Sequence, residues 1–406
     1  MTAPTQPTST RLLTTTLLAT ALVVYSAQGL LIPVLAPVPR TVGLAEIELG
    51  AVMTLSAAML VLTGSWWGRE VDRIGIHAVL VRGLGLATLG TAGFALMTHF
   101  ASAQELPRWL VLSVFGTTRG VLYGLGFAAV PVAGLAYLAS ATEGVVARTK
   151  AVGAFGAMQG ISLVVGPAAG GLLAMGGILM PIYVAPVLIG STLVAVWALP
   201  APDRQAQHDA ERLPWGDSRV LPFLLAGGVL FLGLALVEII MGFLVQDRLG
   251  LSNTETAGVV AIAGVLIGIG FAATQALIAP RVSGGPRTMI VAGSLIAALG
   301  YACAAVAPNL GTLLPAMFII AVGLGLAVPG FNAGATLNVK PHEHAAIAGQ
   351  LAATVGLTYV AGPILGAGLY AAHPLGPVVA AAVLSLLAAA VAYTKLAPSS
   401  SAHTAD

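Results

Sequence analysis

Charge is what this sequence has least of: Asp, Glu, Lys and Arg together make up 8% of its 406 residues, against about 25% in soluble domains. Fifteen acids and seventeen bases cannot solvate a globular surface of this size when 58% of the chain is hydrophobic, so most of the surrounding solvent is lipid. A net charge of only +2, with no basic cluster beside aromatic residues, excludes nucleic acid as a partner. Cysteine is almost absent, and the one present, Cys303, stands in an apolar run, which excludes a disulfide framework and a cysteine-held metal cluster. Histidine is absent from membrane depth: His77, His99, His208, His342, His344, His373 and His403 all fall in loops or tails, which removes a histidine metal site and a histidine proton relay. No G-x-x-x-x-G-K-[ST] sequence occurs, so ATP is not the energy source. The expectation is a protein without metal, cofactor or enzymatic activity.

What the chain has instead is apolar length. Stretches bounded by charge, Pro or Gly run over 12–38, 48–67, 78–98, 107–138, 151–174, 178–199, 219–246, 256–279, 288–307, 310–338, 345–371 and 375–396. Each holds the roughly 20 residues that a helix needs to cross a bilayer core, and none alternates with the two-residue period of a barrel strand. The spacing therefore predicts an all-α membrane protein of twelve transmembrane helices. The first run is too long for the apolar core of a cleaved signal peptide and reads as the first span. Arg40, Arg108 and Arg248 fall on one side of the membrane and Arg119 within a span, while the remaining thirteen basic residues fall on the other side. That bias places both termini in the cytoplasm.

The longest polar stretch, 201–218, divides the spans six and six, giving bundles over 1–200 and 219–406 joined by a cytoplasmic linker. The halves repeat one another. Gly124-Leu125-Gly126 ahead of Pro131 recurs as Gly323-Leu324-Gly325 ahead of Pro329, and Gly166-Pro167 with Gly170 recurs as Gly362-Pro363 with Gly366. Two pseudo-symmetric six-helix bundles follow.

Between the second and third spans lies Gly68-Arg69-Glu70-Val71-Asp72-Arg73-Ile74-Gly75. This G-x-x-x-D-R-x-G loop resembles the signature of the major facilitator superfamily, whose pattern continues with two basic residues where this chain has Ile76-His77. Gly68 and Gly75 permit a tight turn, Asp72 can accept from a helix N-terminus and Arg73 can pair with acids, which together make a conformational latch. In the fifth span, Ser162 to Gly171 is similar to the g-x-x-x-G-P-x-x-G-G element of the exporting, antiporter branch. Its Gly166, Pro167, Gly170 and Gly171, with Gly362 and Pro363 in the other half, read as a kinked, close-packed hinge and seal, or as ordinary small-residue packing.

Two charges stand within spans. Arg119, near the middle of the fourth span, resembles the fourth-helix arginine of family exporters, although the next glycine of that pattern, Gly124, comes one residue late. Gly116, Gly120 and Gly124 read as one small-residue stripe beside it. A charge at this depth must face protein or a wet cavity, either as a functional group or bonded to backbone carbonyls. Glu238 is the acid at depth in the seventh span and the natural proton carrier, with Arg119 as its partner in proton coupling, unless it is a hydrogen-bonded structural residue. The first, fourth and tenth helices line the cavity in this superfamily, which adds Gln28, Tyr123 and Asn332 to Arg119 and Glu238 as cavity residues. The resemblance implies proton-coupled efflux of small amphipathic molecules or drugs across the cytoplasmic membrane of a bacterium, by a protein acting as a monomer. Two alternatives stay open: an exporter of one metabolite such as a sugar or siderophore, and a non-transporting membrane sensor or scaffold.

Overall fold

A computed structural model describes residues 8–140, 145–199, 214–340 and 343–396, so most of the expected linker lies outside the described residues. Twelve helices among these residues are long and apolar enough to cross a membrane. They are Thr14–Val34, Glu46–Ile74, Ile76–Ala103, Arg108–Leu138, Ala154–Gly176, Met180–Trp197, Leu221–Glu238, Asn253–Arg281, Gly285–Val306, Leu310–Leu337, Ala346–Ala372 and Gly376–Lys395, and they are called the first to twelfth spans below. The chain divides into two compact units, Met1–His208 with Ser252–Ile262, and Asp209–Leu251 with Ala263–Asp406.

Several spans end differently from the apolar runs that announced them. Prolines at 33, 37 and 39 break the end of the first run, where a 3-10 turn, Ile32–Val34, and a short helix, Pro37–Thr41, replace continuous α-helix. The seventh run stops being regular helix at Glu238 and resumes as Met241–Leu249, which Gly250 closes in the left-handed conformation at φ 62°. The second and third spans turn on Gly75, whose φ of 88° a side chain would resist. Gly68 lies inside the helix and a Cβ there would meet open space, so the turn needs Gly75 but not Gly68.

Each unit is held by glycine faces at matching positions. A Cβ added at Gly126 would lie 2.5 Å from the Gly83 carbonyl, and one at Gly323 would lie 2.6 Å from the Gly293 carbonyl, so the third and fourth spans pack as the ninth and tenth do. The sequence repeat had equated Gly124 with Gly323. Packing equates Gly126 with Gly323 instead, because Gly124 faces Ser56 and Met59 of the second span.

The fourth and tenth spans differ by one residue. Gly90 lies against Thr118 and Tyr123, five residues apart, whereas its counterpart Gly300 lies against Ala316 and Ile320, four apart. The additional residue is absorbed by a π-helical turn, Gly116–Leu122, while the tenth span, Leu310–Leu337, is α-helical throughout. This turn also undoes the expected stripe: Gly120 and Gly124 face the second span, but a Cβ on Gly116 would meet nothing.

Candidate functional site

Arg119 occupies the π-turn of the first unit and is only 4% exposed. Its guanidinium carbon lies 4.0 Å from the centroid of the Tyr123 ring, a cation–π contact made possible because the two residues stand one turn apart. Nη1 reaches Ser56 Oγ at 3.4 Å, a long contact, and Nε has no partner. The Tyr123 hydroxyl donates to Oε1 of the exposed Gln28 at 2.7 Å, joining the fourth span to the end of the first helix. Three of the expected cavity residues therefore form one chain of contacts: Gln28, Tyr123, Arg119.

Around them lies an aromatic cluster with little signature in the sequence. Tyr25 meets Phe127 edge-on at 5.1 Å and Phe155 at 6.5 Å, and Tyr123 stacks on Phe127 at 5.5 Å. Tyr25 also hydrogen-bonds the Gln159 side chain. The i,i+4 spacing of Tyr123 and Phe127 was the available signal, since it puts both rings on one helix face.

In the second unit Glu238 is the last residue of its helix, about 25 Å along it at 1.5 Å per residue. It is exposed, and its Oε2 accepts a hydrogen bond of 2.8 Å from the Tyr359 hydroxyl of the eleventh span. No cation bonds it among the described residues. Tyr301 of the ninth span, buried at 1% exposure, lies within electrostatic reach of Glu238 and carries a hydroxyl without a partner. Asn332 is exposed on the tenth span, its backbone carbonyl accepting from Thr336. Tyr359 and Tyr301 had no distinguishing sequence signal, being two of several tyrosines at depth.

The Gly-Pro elements make their close contacts inside each unit. A Cβ on Gly166 would lie 2.8 Å from Gly29, one on Gly170 would lie 2.3 Å from the Leu30 carbonyl, and Pro167 Cδ touches the same face of the first helix. Gly171 faces Ala261, in the 252–262 segment that packs with the first unit. In the second unit Gly362 faces Ala235, and a Cβ on Gly366 would collide with the Leu236 carbonyl. Pro363 sits within its helix, as Pro167 does in its own. By this packing Leu30 corresponds to Leu236, which makes Ile32 the counterpart of Glu238, so the acid, like Arg119, has no charged counterpart in the other half.

In the loop motif, Arg73 Nη2 pairs with Glu70 Oε2 at 2.9 Å, and the Glu70 side chain is nearly covered. Asp72 is exposed and meets no partner among the described residues. His77 binds the Val196 carbonyl at 3.0 Å, fastening the third span to the sixth, and Arg287 does the same for the ninth and twelfth by donating to the Tyr393 carbonyl at 2.8 Å. The residue that stands in a basic position of the family pattern thus has a tethering contact of its own.

A family model described as Major Facilitator Superfamily matches residues 17–350. The tetracycline resistance protein, class C, of Escherichia coli is 28% identical over 362 residues, covering 85% of this chain and 86% of that protein. Multidrug resistance protein 2 of Bacillus subtilis is 31% identical over 169 residues, 42% of this chain and 39% of that protein. Among solved structures, a bacterial homologue of the human lysosomal transporter Spinster, inward-facing and occupied, superposes with a TM-score of 0.74 at 14% identity, covering 96% of this chain and 97% of that one.

Proposed function

The chain belongs to the major facilitator superfamily, and we propose that it exports small amphipathic molecules or drugs from a bacterial cell in exchange for protons, by alternating access. It is a multi-pass membrane transporter and not an enzyme. Efflux in general is supported by relatives named for resistance to tetracycline and to multiple drugs. In this reading both termini face the cytoplasm, one chain suffices, and bundles over 1–200 and 219–406 move about the 201–218 linker. Asp72 and Arg73 latch one state of the cycle, and the Gly166-Pro167 and Gly362-Pro363 elements are its hinges.

The observation that carries proton coupling is the environment of Glu238, an acid at the end of an apolar helix, held by a tyrosine hydroxyl and neutralised by no cation among the described residues. Such a carboxyl changes charge by taking a proton, and with only a tyrosine hydroxyl bonded to it, its protonation is linked to what else binds. Deprotonated Glu238 favours a cationic or polar substrate and protonated Glu238 releases it. Gln28, Tyr123, Arg119 and Asn332 supply the other polar contacts to substrate.

The test is proton release when substrate is added to detergent-solubilised protein at several pH values. Glu238→Gln should release none and bind substrate with little pH dependence, while substrate-for-substrate exchange persists. Release equal to that of the parent would move the carrier elsewhere. Export of cationic, neutral and anionic compounds from loaded proteoliposomes, with and without a pH gradient, separates a broad exporter from one dedicated to a single metabolite.

A further inference from the structure

We propose that the Arg119 guanidinium is a binding site for a monovalent anion, either a halide or the carboxylate of a transported molecule. The ground is a contrast with the arginines whose partners are described, including Arg287, which likewise lies over a tyrosine ring with a buried Nε that has no partner but donates to the Tyr393 carbonyl. Arg40 pairs with Glu46, Arg108 with Glu48, Arg73 with Glu70, and Arg219 with Asp217 and Glu343. Arg248 shows what a structural arginine looks like here: its fork donates to the carbonyls of Ala304, Ala305 and Ala307 and closes the end of the ninth-span helix. Arg119 is more buried than any of these, yet among the described residues it meets neither a carboxylate nor a backbone carbonyl.

A guanidinium presents five N–H donors in a plane. Here they have one long contact to Ser56, and Nε has none. A buried cation without compensation is strongly destabilising, and a ring face offsets only part of that. The unmet donors lie in the guanidinium plane, and Tyr123 covers a face of the group rather than the edge that carries them. In-plane N–H groups converging on one acceptor fit a halide or the two oxygens of a carboxylate. The π-turn explains why no helix carbonyl has filled the place: its additional residue, absent from the tenth span, carries Arg119 out of the register shared by the two halves. Gln28, which accepts from the Tyr123 hydroxyl and is exposed, marks the side from which the covering ring can be released.

This inference goes beyond the proposed function and does not depend on protons or on Glu238. It is tested with the purified full chain in detergent, kept in a buffer whose anion is a bulky sulfonate. Radioactive chloride is titrated in, with benzoate as a competing carboxylate. The parent should show one saturable site per chain, with a higher thermal midpoint in chloride than in sulfonate. Arg119→Gln should weaken binding by about 10- to 100-fold, the loss expected for hydrogen bonds to a charged group, and abolish the thermal shift. Arg40→Gln, which disturbs an arginine already paired with Glu46, should bind as the parent does. Displacement of chloride by benzoate identifies the site as one for a carboxylate cargo; saturable chloride that benzoate leaves in place identifies a resident halide. If the parent shows neither saturable binding nor a chloride-dependent midpoint, ordered water satisfies Arg119 and the proposal is overturned, even should Arg119→Gln fail to fold. Equal binding by a folded Arg119→Gln overturns it as well.

Discussion

The Tyr359 hydroxyl donates to Glu238 Oε2 at 2.8 Å, so the acid at the end of the seventh span is held by the eleventh. The same helix packs Gly362 and Gly366 onto Ala235 and Leu236, within the last turn before Glu238, and so fixes carboxyl and phenol at one height. Tyr359→Phe keeps the ring and removes the bond. Proton release on substrate addition should move along the pH axis relative to the parent, because the bond acts differently on the two protonation states. Stability should change by no more than about 1.5 kcal/mol, the usual net worth of one hydrogen bond. A release curve superimposable on that of the parent counts against a positioning role for Tyr359.

Glycines in this chain divide by what lies opposite them. Gly170→Ala places a methyl 2.3 Å from the Leu30 carbonyl, where backbone must shift, and should destabilise by about 1–3 kcal/mol as other overpacked cores do. Gly68→Ala puts the same methyl in open space within a helix and should be neutral, or stabilising by up to about 1 kcal/mol through helix propensity. Thermal unfolding of the two variants in one detergent checks the contrast. Comparable losses would mean that Gly68 has a partner in another state of the cycle.

Arg248 donates to three carbonyls at the end of the ninth-span helix, at 2.7, 3.1 and 3.0 Å. Arg248→Gln retains polarity but cannot span all three, and should cost about 1.5–3 kcal/mol in line with charge-assisted bonds. Lys should recover only part of this, since a point charge replaces a planar fork. The measurement is the thermal midpoint of each variant, and an unchanged midpoint for Arg248→Gln would show that water caps the helix equally well.

Hydropathy made the twelve spans legible because crossing a bilayer demands length and apolarity that little else requires. It also put Arg119 and Glu238 in view, since charge at depth is rare. Three features were not legible. The break after Glu238 contains no proline or glycine to announce it, only Ile239 and Ile240. The π-turn left one trace, the late position of Gly124, which could be read only as an irregular motif until Gly90 and Gly300 showed the additional residue. Tyr359 could not be chosen from the sequence because partners across helices depend on rotation about each axis, and helices apolar on every side give periodicity nothing to report.

The seventh span begins beside a three-residue network in which Arg219 bridges Asp217 at 2.7 Å and Glu343 at 2.9 Å. The Arg219 side chain holds the Asp217 carboxyl below the usual carboxylate range. A carboxyl with a depressed value in the folded state adds stability that is present above its unfolded value, about 4, and is lost as pH falls through the lower folded value. Between pH 5 and 8 this contribution is constant. Asp217→Asn should therefore leave the pH profile of transport over that range unchanged, while flattening the loss of stability below about pH 4. A profile altered near neutrality would place Asp217 in the transport cycle.

Glu70 and Asp72, two residues apart in the loop motif, separate a fold contact from a latch. Glu70 is nearly covered and accepts from both Nε and Nη2 of Arg73, at 3.2 and 2.9 Å; Asp72 is exposed without a described partner. Glu70→Gln removes the charge that Arg73 needs and leaves a polar group covered, so it should cost about 1–3 kcal/mol. Arg73 is largely exposed, which places the expected loss toward the lower end of that range. Asp72→Asn should change stability by less than about 0.5 kcal/mol, as exposed substitutions away from special features do. If Asp72 latches one state of the cycle, the same variant should slow transport while leaving substrate affinity in detergent intact, because its partner is met only in that state. Thermal midpoints and proteoliposome turnover measured on both variants give the decision: a stable Asp72→Asn protein with normal turnover assigns the motif to the Arg73–Glu70 pair and the Gly75 turn alone.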